Sequence, residues 1–469
     1  MKKISLRATA VAVAALAASQ AWATNGMLME GYGPVALSMG GASQAYDNGT
    51  AGMMNNVATL QLGENGTRAD VALGILGPSV ASSMTGMPTA KSGGTSYVMP
   101  AFGWVRKNDQ YSYGVGVFGQ GGMGTEYSNS SFMGAGTGDA RSELGVGRVI
   151  FPVSMKVNDR LNVGASLDFT WANLDMKMLA SPQQFVGMYA FGNGLGMDQA
   201  GMTAATSQLN AMGTQMGLQG PMASNYARLD FSNSNDFTGQ AKGSGWTGKL
   251  GATFKATEAL SLGVSYQMKT RLSDLTTGAN GAQFTLIAAD GANGAPGTVM
   301  PAMNGKIIVR NFQMPSVLAA GASWQASPVL NLVADVKRIG WSSVMKSFNM
   351  AFDMGGGQVM NFGMPQNWSD QTVVSLGGAY KVNDALKVRA GYSHSTNPIP
   401  DAMVNPLFPA IVKDHFMAGF GYQINKNMTM DAAISHAPKV TVVNAADPSM
   451  PVTISHSQTN YQLMLSYRY

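Results

Sequence analysis

The chain ends Tyr461-Gln-Leu-Met-Leu-Ser-Tyr-Arg-Tyr469, and the alternation in this stretch decides the fold class. Successive side chains of an extended strand point to opposite faces. Tyr461, Leu463, Leu465, Tyr467 and Tyr469 therefore share one apolar, aromatic face. A soluble protein has no physical need to end that way. Working backwards, further alternating segments come in pairs joined by short polar turns. Lys107-Asn-Asp-Gln110 separates Tyr97–Arg106 from Tyr111–Phe118, and Val157-Asn-Asp-Arg160 separates Arg148–Lys156 from Leu161–Trp171. Thr257-Glu258 lies between Trp246–Phe254 and Leu260–Met268, and Ala326-Ser-Pro328 between Pro315–Trp324 and Leu330–Val336. Val382-Asn-Asp-Ala385 joins Val373–Tyr380 to Leu386–Tyr392, and Asn425-Lys-Asn427 joins Phe416–Ile424 to Met428–Ile434. Asn and Asp tolerate the tight geometries that hairpins require.

These six hairpins, a first strand near Thr67–Leu76 and the final strand near Val452–Tyr469 predict an all-β, 14-stranded antiparallel transmembrane barrel. The terminal aromatic strand resembles the C-terminal signature of bacterial outer-membrane barrels. All the tight turns fall at one end, the periplasmic end in such barrels, and longer loops fall at the other. Leu179 to about Ala241 is the longest of these loops, and its many apolar residues are too dense for a simply solvated segment. A barrel this wide cannot be filled by its own side chains. The segment from Thr24 to about Gly66 is the free candidate for a plug, which leaves residues 67–469 as the barrel.

Export follows from the first residues. Lys2, Lys3 and Arg7 precede the short apolar run Ala8–Ala18, and Ala21-Trp-Ala23 supplies a small-x-small cleavage pattern, so residues 1–23 are expected to be a signal peptide. The formal charge is +5. Removing three basic residues leaves +5 − 3 = +2, with no basic cluster to suggest a nucleic-acid partner. Charged residues make up only 12% of the chain while glycine reaches 58, and no later apolar run is long enough for a membrane helix. The chain contains no cysteine, and His394, His415, His436 and His456 lie too far apart for a helical ligand pair. No cofactor or metal site is expected.

Two glycine-rich stretches mimic nucleotide motifs. Gly119-Gln-Gly-Gly-Met-Gly124 fits G-x-G-x-x-G, but no helical period follows to meet a pyrophosphate. Gly243 to Leu250 lacks the Ser or Thr of a P-loop and lies within an alternating strand. There is no G-x-S-x-G elbow or H-E-x-x-H pair, so an enzyme is not expected, although a barrel hydrolase stands as the alternative class.

The order of several segments resembles the FadL family of outer-membrane transporters. Leu37-Ser-Met-Gly40-Gly41-Ala42 through Asn56-Val57-Ala58 looks like its N-terminal hatch, with Val57 where the family has proline. Gly116–Gly119 through Gly124–Tyr127 is similar to its third-strand motif. Met314-Pro315 through Trp341-Ser342 and Asn367-Trp368 through Asn397–Asp401 match further segments. The resemblance implies passive uptake of a hydrophobic small molecule by a monomer surrounded by outer-membrane lipids. It also implies lateral release at a kink formed by Gly119, Gly121, Gly122 and Gly124. Long-chain fatty acids are the expected ligands, with uncharged aromatic hydrocarbons as the alternative. A carboxylate inside the barrel needs a basic partner, and Lys177 and Lys346 are the candidates.

Overall fold

The computed structural model describes residues 25–235, 238–448 and 450–469; the expected signal peptide and Thr24 lie outside them. Its strands form a single antiparallel sheet that closes on itself. The closure is made by the ends of the chain, where Gly66–Met84 pairs with Val452–Arg468 from Arg68↔Arg468 to Met84↔Val452. All six expected hairpins pair as read. The fourteen-strand expectation is corrected, however: among the described residues the sheet has 22 strands. The strands it left out include a run that continues the wall beyond the rim. In this run Tyr226–Phe231 pairs with Ala282–Ile287, then Met303–Arg310, Ser347–Asp353 and Val359–Pro365. Most of these strands are short and joined by long connections; the exception is the hairpin of Ser347–Asp353 and Val359–Pro365, turned by Met354–Gln358, whose glycines carry none of the Asn or Asp that marked the other turns.

Alternation places lipid and lumen on opposite sides of the wall. Val71, Leu73, Ile75, Phe151, Val153, Leu262, Val264, Leu463 and Leu465 are exposed on the outside. Aromatic side chains cluster toward the tight-turn end: the Trp104 Nε1 donates to the Tyr469 hydroxyl at 3.3 Å, and Tyr467 stacks on Tyr469 at 5.6 Å. An aromatic girdle at that level is what an amphipathic interface selects. No helix among the described residues is long and apolar enough to cross a membrane.

The tight turns share one device. Asn108, Asn158, Asn383 and Asn425 each accept from the two backbone N–H groups two and three residues on, and Thr257 does the same through its hydroxyl. The side chain thus satisfies donors that a tight reversal leaves over.

At the opposite end, the expected loop from Leu179 to Ala241 carries helix α1 (Pro182–Gly192) and helix α2 (Gln199–Gln215). Ser181 and Gln184 form a capping box at the start of α1, with Pro182 in its first turn, where a missing N–H costs nothing. The buried face of α1 meets the extended sheet. Phe185 packs against Phe284 and Phe362 with ring centroids 5.7 and 6.1 Å apart, and Phe284 also packs against Phe352 at 5.7 Å. The density of apolar residues in that loop is explained by this cap.

Candidate functional site

Residues Asn25–Leu62 lie within the ring of strands and are tied to it on several sides. Asp70, on the wall, accepts from the Thr50 backbone N–H at 2.9 Å, the Thr50 hydroxyl at 2.8 Å and Arg68 Nε at 2.7 Å. Asp335 accepts from the Ser43 N–H at 2.6 Å, and Lys337 donates to the Gly41 and Glu30 carbonyls at 2.8 and 3.2 Å. Ser435 and Asn460 donate to Glu30 at 2.9 and 3.0 Å. Lys249 donates to the carbonyls of Met53 and Met54. A charged group inside a barrel must be paired or hydrogen-bonded; here the lysines donate to backbone carbonyls and the carboxylates accept from backbone N–H groups.

The residues expected for the hatch fall in this segment. Gly40 and Gly41 have φ of +72° and +78°, which side chains other than glycine rarely adopt. A Cβ on Gly40 would also meet the Leu376 and Tyr392 backbones of the wall. Ala42 is fully buried. Asn56 donates to the Gln44 and Ala252 carbonyls at 2.8 and 3.1 Å and accepts from the Ala58 N–H at 3.1 Å, capping a short helical turn over Val57–Gln61. Val57 sits at the first position of that turn, which suits proline as well.

The glycine run is not the start of a loop: it continues the strand Tyr111–Tyr127. Its register with Ala140–Lys156 slips between Gly119 and Gly121, a bulge centred on Gln120. On its other side, pairing with Tyr97–Lys107 stops at Phe102↔Val117. Above that point Tyr97–Ala101 pairs only with the first strand, and contact resumes where the Gly93 N–H donates to the Glu126 carbonyl at 2.7 Å. The wall therefore has a window. Pro100, which has no N–H to give, sits on one edge, as proline does at sheet edges and bulges.

Behind the window stands the N-terminal segment. Leu28 forms a bridge with Gly121, and a Cβ there would collide with the Met27 carbonyl. The Tyr32 hydroxyl donates to the Gln120 carbonyl at 2.5 Å. Gln120 itself turns inward, where its side chain accepts from Arg148 Nε at 2.7 Å, and Arg148 pairs with Asp168 at 3.0 Å, all three buried. A small cleft of about 40 Å³ opens here, lined by Met29, Tyr32, Met99, Pro100, Phe102, Phe118 and lipid-facing Leu73. Its lining is largely apolar, as hydrophobic-ligand sites are.

The two lysines proposed for a carboxylate are elsewhere. Lys177 is occupied by Asp139 at 3.1 Å and Ser234 at 2.9 Å, and Lys346 is exposed. Neither is brought to the cleft. The buried cations that do face the lumen, Arg148, Lys249 and Lys337, were legible only as inward positions of alternating strands. Among the described residues no group of His, Cys, Asp and Glu could hold a metal.

A closed antiparallel sheet with an apolar girdled exterior, buried charges turned inward and an apolar cleft beside an interrupted ladder defines an outer-membrane barrel for hydrophobic solutes. The chain belongs to the family of outer membrane transport proteins OMPP1/FadL/TodX, whose model matches residues 5–469. It resides in the outer membrane of a Gram-negative bacterium, and family members are transport channels. It is similar to the Pseudomonas putida toluene transporter TodX, with 30% identity, TM-score 0.79, and 94% of this chain and 99% of that one covered. It also resembles the Ralstonia pickettii toluene transporter TbuX, with 30% identity, TM-score 0.72 and coverage of 94% and 99%. The chain spans well under two thirds of the curated relatives it matches. With an uncharacterized protein of Chlorobium limicola it shares 45% identity over 78 residues, 16% of this chain and 38% of that one.

Proposed function

We propose that this channel takes up uncharged monoaromatic hydrocarbons of the toluene class by passive diffusion and releases them sideways through the wall window. The ordering expected from sequence, fatty acids first, is thereby reversed. Two features support the reversal: both toluene transporters above are similar over nearly the whole chain, and the cleft is apolar with neither candidate lysine beside it.

The observation that carries the reading is the window itself, an interrupted ladder between Tyr97–Ala101 and Phe118–Thr125 with the cleft reaching lipid-facing Leu73. An apolar solute gains roughly 25 cal/mol for each Å² kept from water. Moving from the cleft into the surrounding acyl chains preserves that gain, whereas release into the periplasm forfeits it. The N-terminal segment acts as the hatch that blocks the axial route, and the Tyr32–Gln120 hydrogen bond joins hatch to window. Burial pushes the Tyr32 pKa up, which favours the protonated hydroxyl that donates this bond.

The test is uptake of labelled toluene and labelled oleate by cells with and without the protein. Toluene uptake should depend on it. Dependence of oleate alone would restore the fatty-acid reading.

A further inference from the structure

The tight-turn end of the barrel holds a second cleft, of about 260 Å³, between the N-terminal segment and the rim. It is polar, and four basic side chains reach it: Arg68, Lys107, Lys426 and Arg468. The two arginines are charge-matched. Arg68 pairs with Asp70 at 2.7 Å, Arg468 with Glu64 at 2.6 Å, and both lie 3.9 Å from Asp47.

The lysines are not. At three other turns a lysine is answered by an acid three residues on: Lys156 by Asp159, Lys255 by Glu258 and Lys381 by Asp384. At the two turns bordering the cleft that pattern is broken. Lys107 is followed at the same spacing by Gln110, and its ammonium donates to the neutral Asn65 carboxamide at 2.6 Å, while Asp109 is engaged by the Asn65 amide. Lys426 is followed by Thr429 and has no ion pair among the described residues. Two ammonium groups without an ion-pair partner in contact, from turns far apart in the chain, thus bracket one polar recess, with the Asp109 and Asp47 charges acting on Lys107 only through space.

We propose that this recess binds a phosphate group, either free phosphate or the headgroup phosphate of a membrane lipid. Lysine serves such anions as a mobile point charge. The lipid source is within reach because Tyr469 lines the cleft and also belongs to the exposed aromatic girdle with Tyr467 and Trp104. The site is independent of the solute the channel carries.

The full protein in uncharged detergent would be titrated, by calorimetry, with dihexanoyl phosphatidylglycerol, inorganic phosphate and uncharged dihexanoylglycerol. Binding of either phosphate compound is expected, weakening with salt, and at least about tenfold weaker in Lys107→Gln/Lys426→Gln, a loss of about 1.4 kcal/mol. Lipid binding with weak phosphate binding would assign the headgroup, and equal binding the free ion. Heat-modifiable migration would confirm that the variant folds, and Lys426→Gln alone, at an exposed turn, replaces it if it does not. No binding of either phosphate compound, undiminished binding by the folded variant, or equal binding of dihexanoylglycerol would overturn the proposal.

Discussion

At the scale of single residues, a few side chains carry a disproportionate share of the structure. Arg148 and Asp168 are both fully buried and 3.0 Å apart, so each is the other's counter-charge. Removing one leaves the other unpaired, which costs about 3–5 kcal/mol in a buried pair. Asp168→Ala should lower stability by that order, read from urea unfolding in lipid vesicles, and a joint replacement of both by apolar residues should cost far less. Tyr32→Phe tests the link between hatch and window. It deletes one hydrogen bond, worth about 1 kcal/mol, and should change toluene uptake several-fold without changing the amount of folded protein. Gly121→Val is harsher, because its side chain would occupy the place of the Met27 carbonyl. The protein should fold, since the backbone pairing of Gly121 with Val146 is kept and the clash falls on the Met27–Leu28 stretch, and toluene uptake should be largely lost. Normal uptake by a folded Gly121→Val protein would remove the window from the mechanism.

At the scale of elements, the N-terminal segment is the one whose role matters most. It is held both by charged wall groups, Asp70, Lys249, Asp335 and Lys337, and by apolar packing, with Met53, Met54, Val57 and Leu60 against Val105, Phe118 and Ile150. The segment is covalently continuous with only one wall strand, so the ladder that closes the barrel does not depend on it. Deletion of residues 25–62 should therefore preserve the barrel and raise its conductance to small ions in planar bilayers; unchanged conductance would show that something else closes the lumen. The elements also show which signals a sequence carries locally. Tight turns were legible because Asn108, Asn158, Asn383 and Asn425 act on N–H groups within three residues of themselves. The strands beyond the rim were not, since Ala282–Ile287 pairs with Tyr226–Phe231 across a separation that no local pattern encodes. Helix α1 had its capping box in plain view at Ser181 and Gln184, but a single cap cannot announce what the helix covers.

At the scale of the whole molecule, alternation along the strands sorts the chain into a lipid face and a lumen face. Fractionation should place the protein in the outer membrane with heat-modifiable migration in detergent gels, and a soluble periplasmic product would contradict the architecture. The sequence by itself determined the membrane class, the hairpins and the orientation of the turns, because period-two patterning and turn chemistry are properties of neighbouring residues. It also pointed to Gly119–Gly124 as a weak place in the wall, though a loop start was equally compatible. Only the tertiary structure decided that this stretch continues as strand and loses its partner on one side. The partner's edge, with Pro100, and the Met27–Leu28 stretch behind it are far away in the chain. The same holds for charge. Lys177 and Lys346 could be nominated from sequence, but whether a lysine is free, paired with Asp139, or turned to solvent depends on what other strands bring beside it. Local chemistry names the parts of a barrel, whereas a window or a pocket exists only between strands, and strand partners are set by closure of the whole sheet.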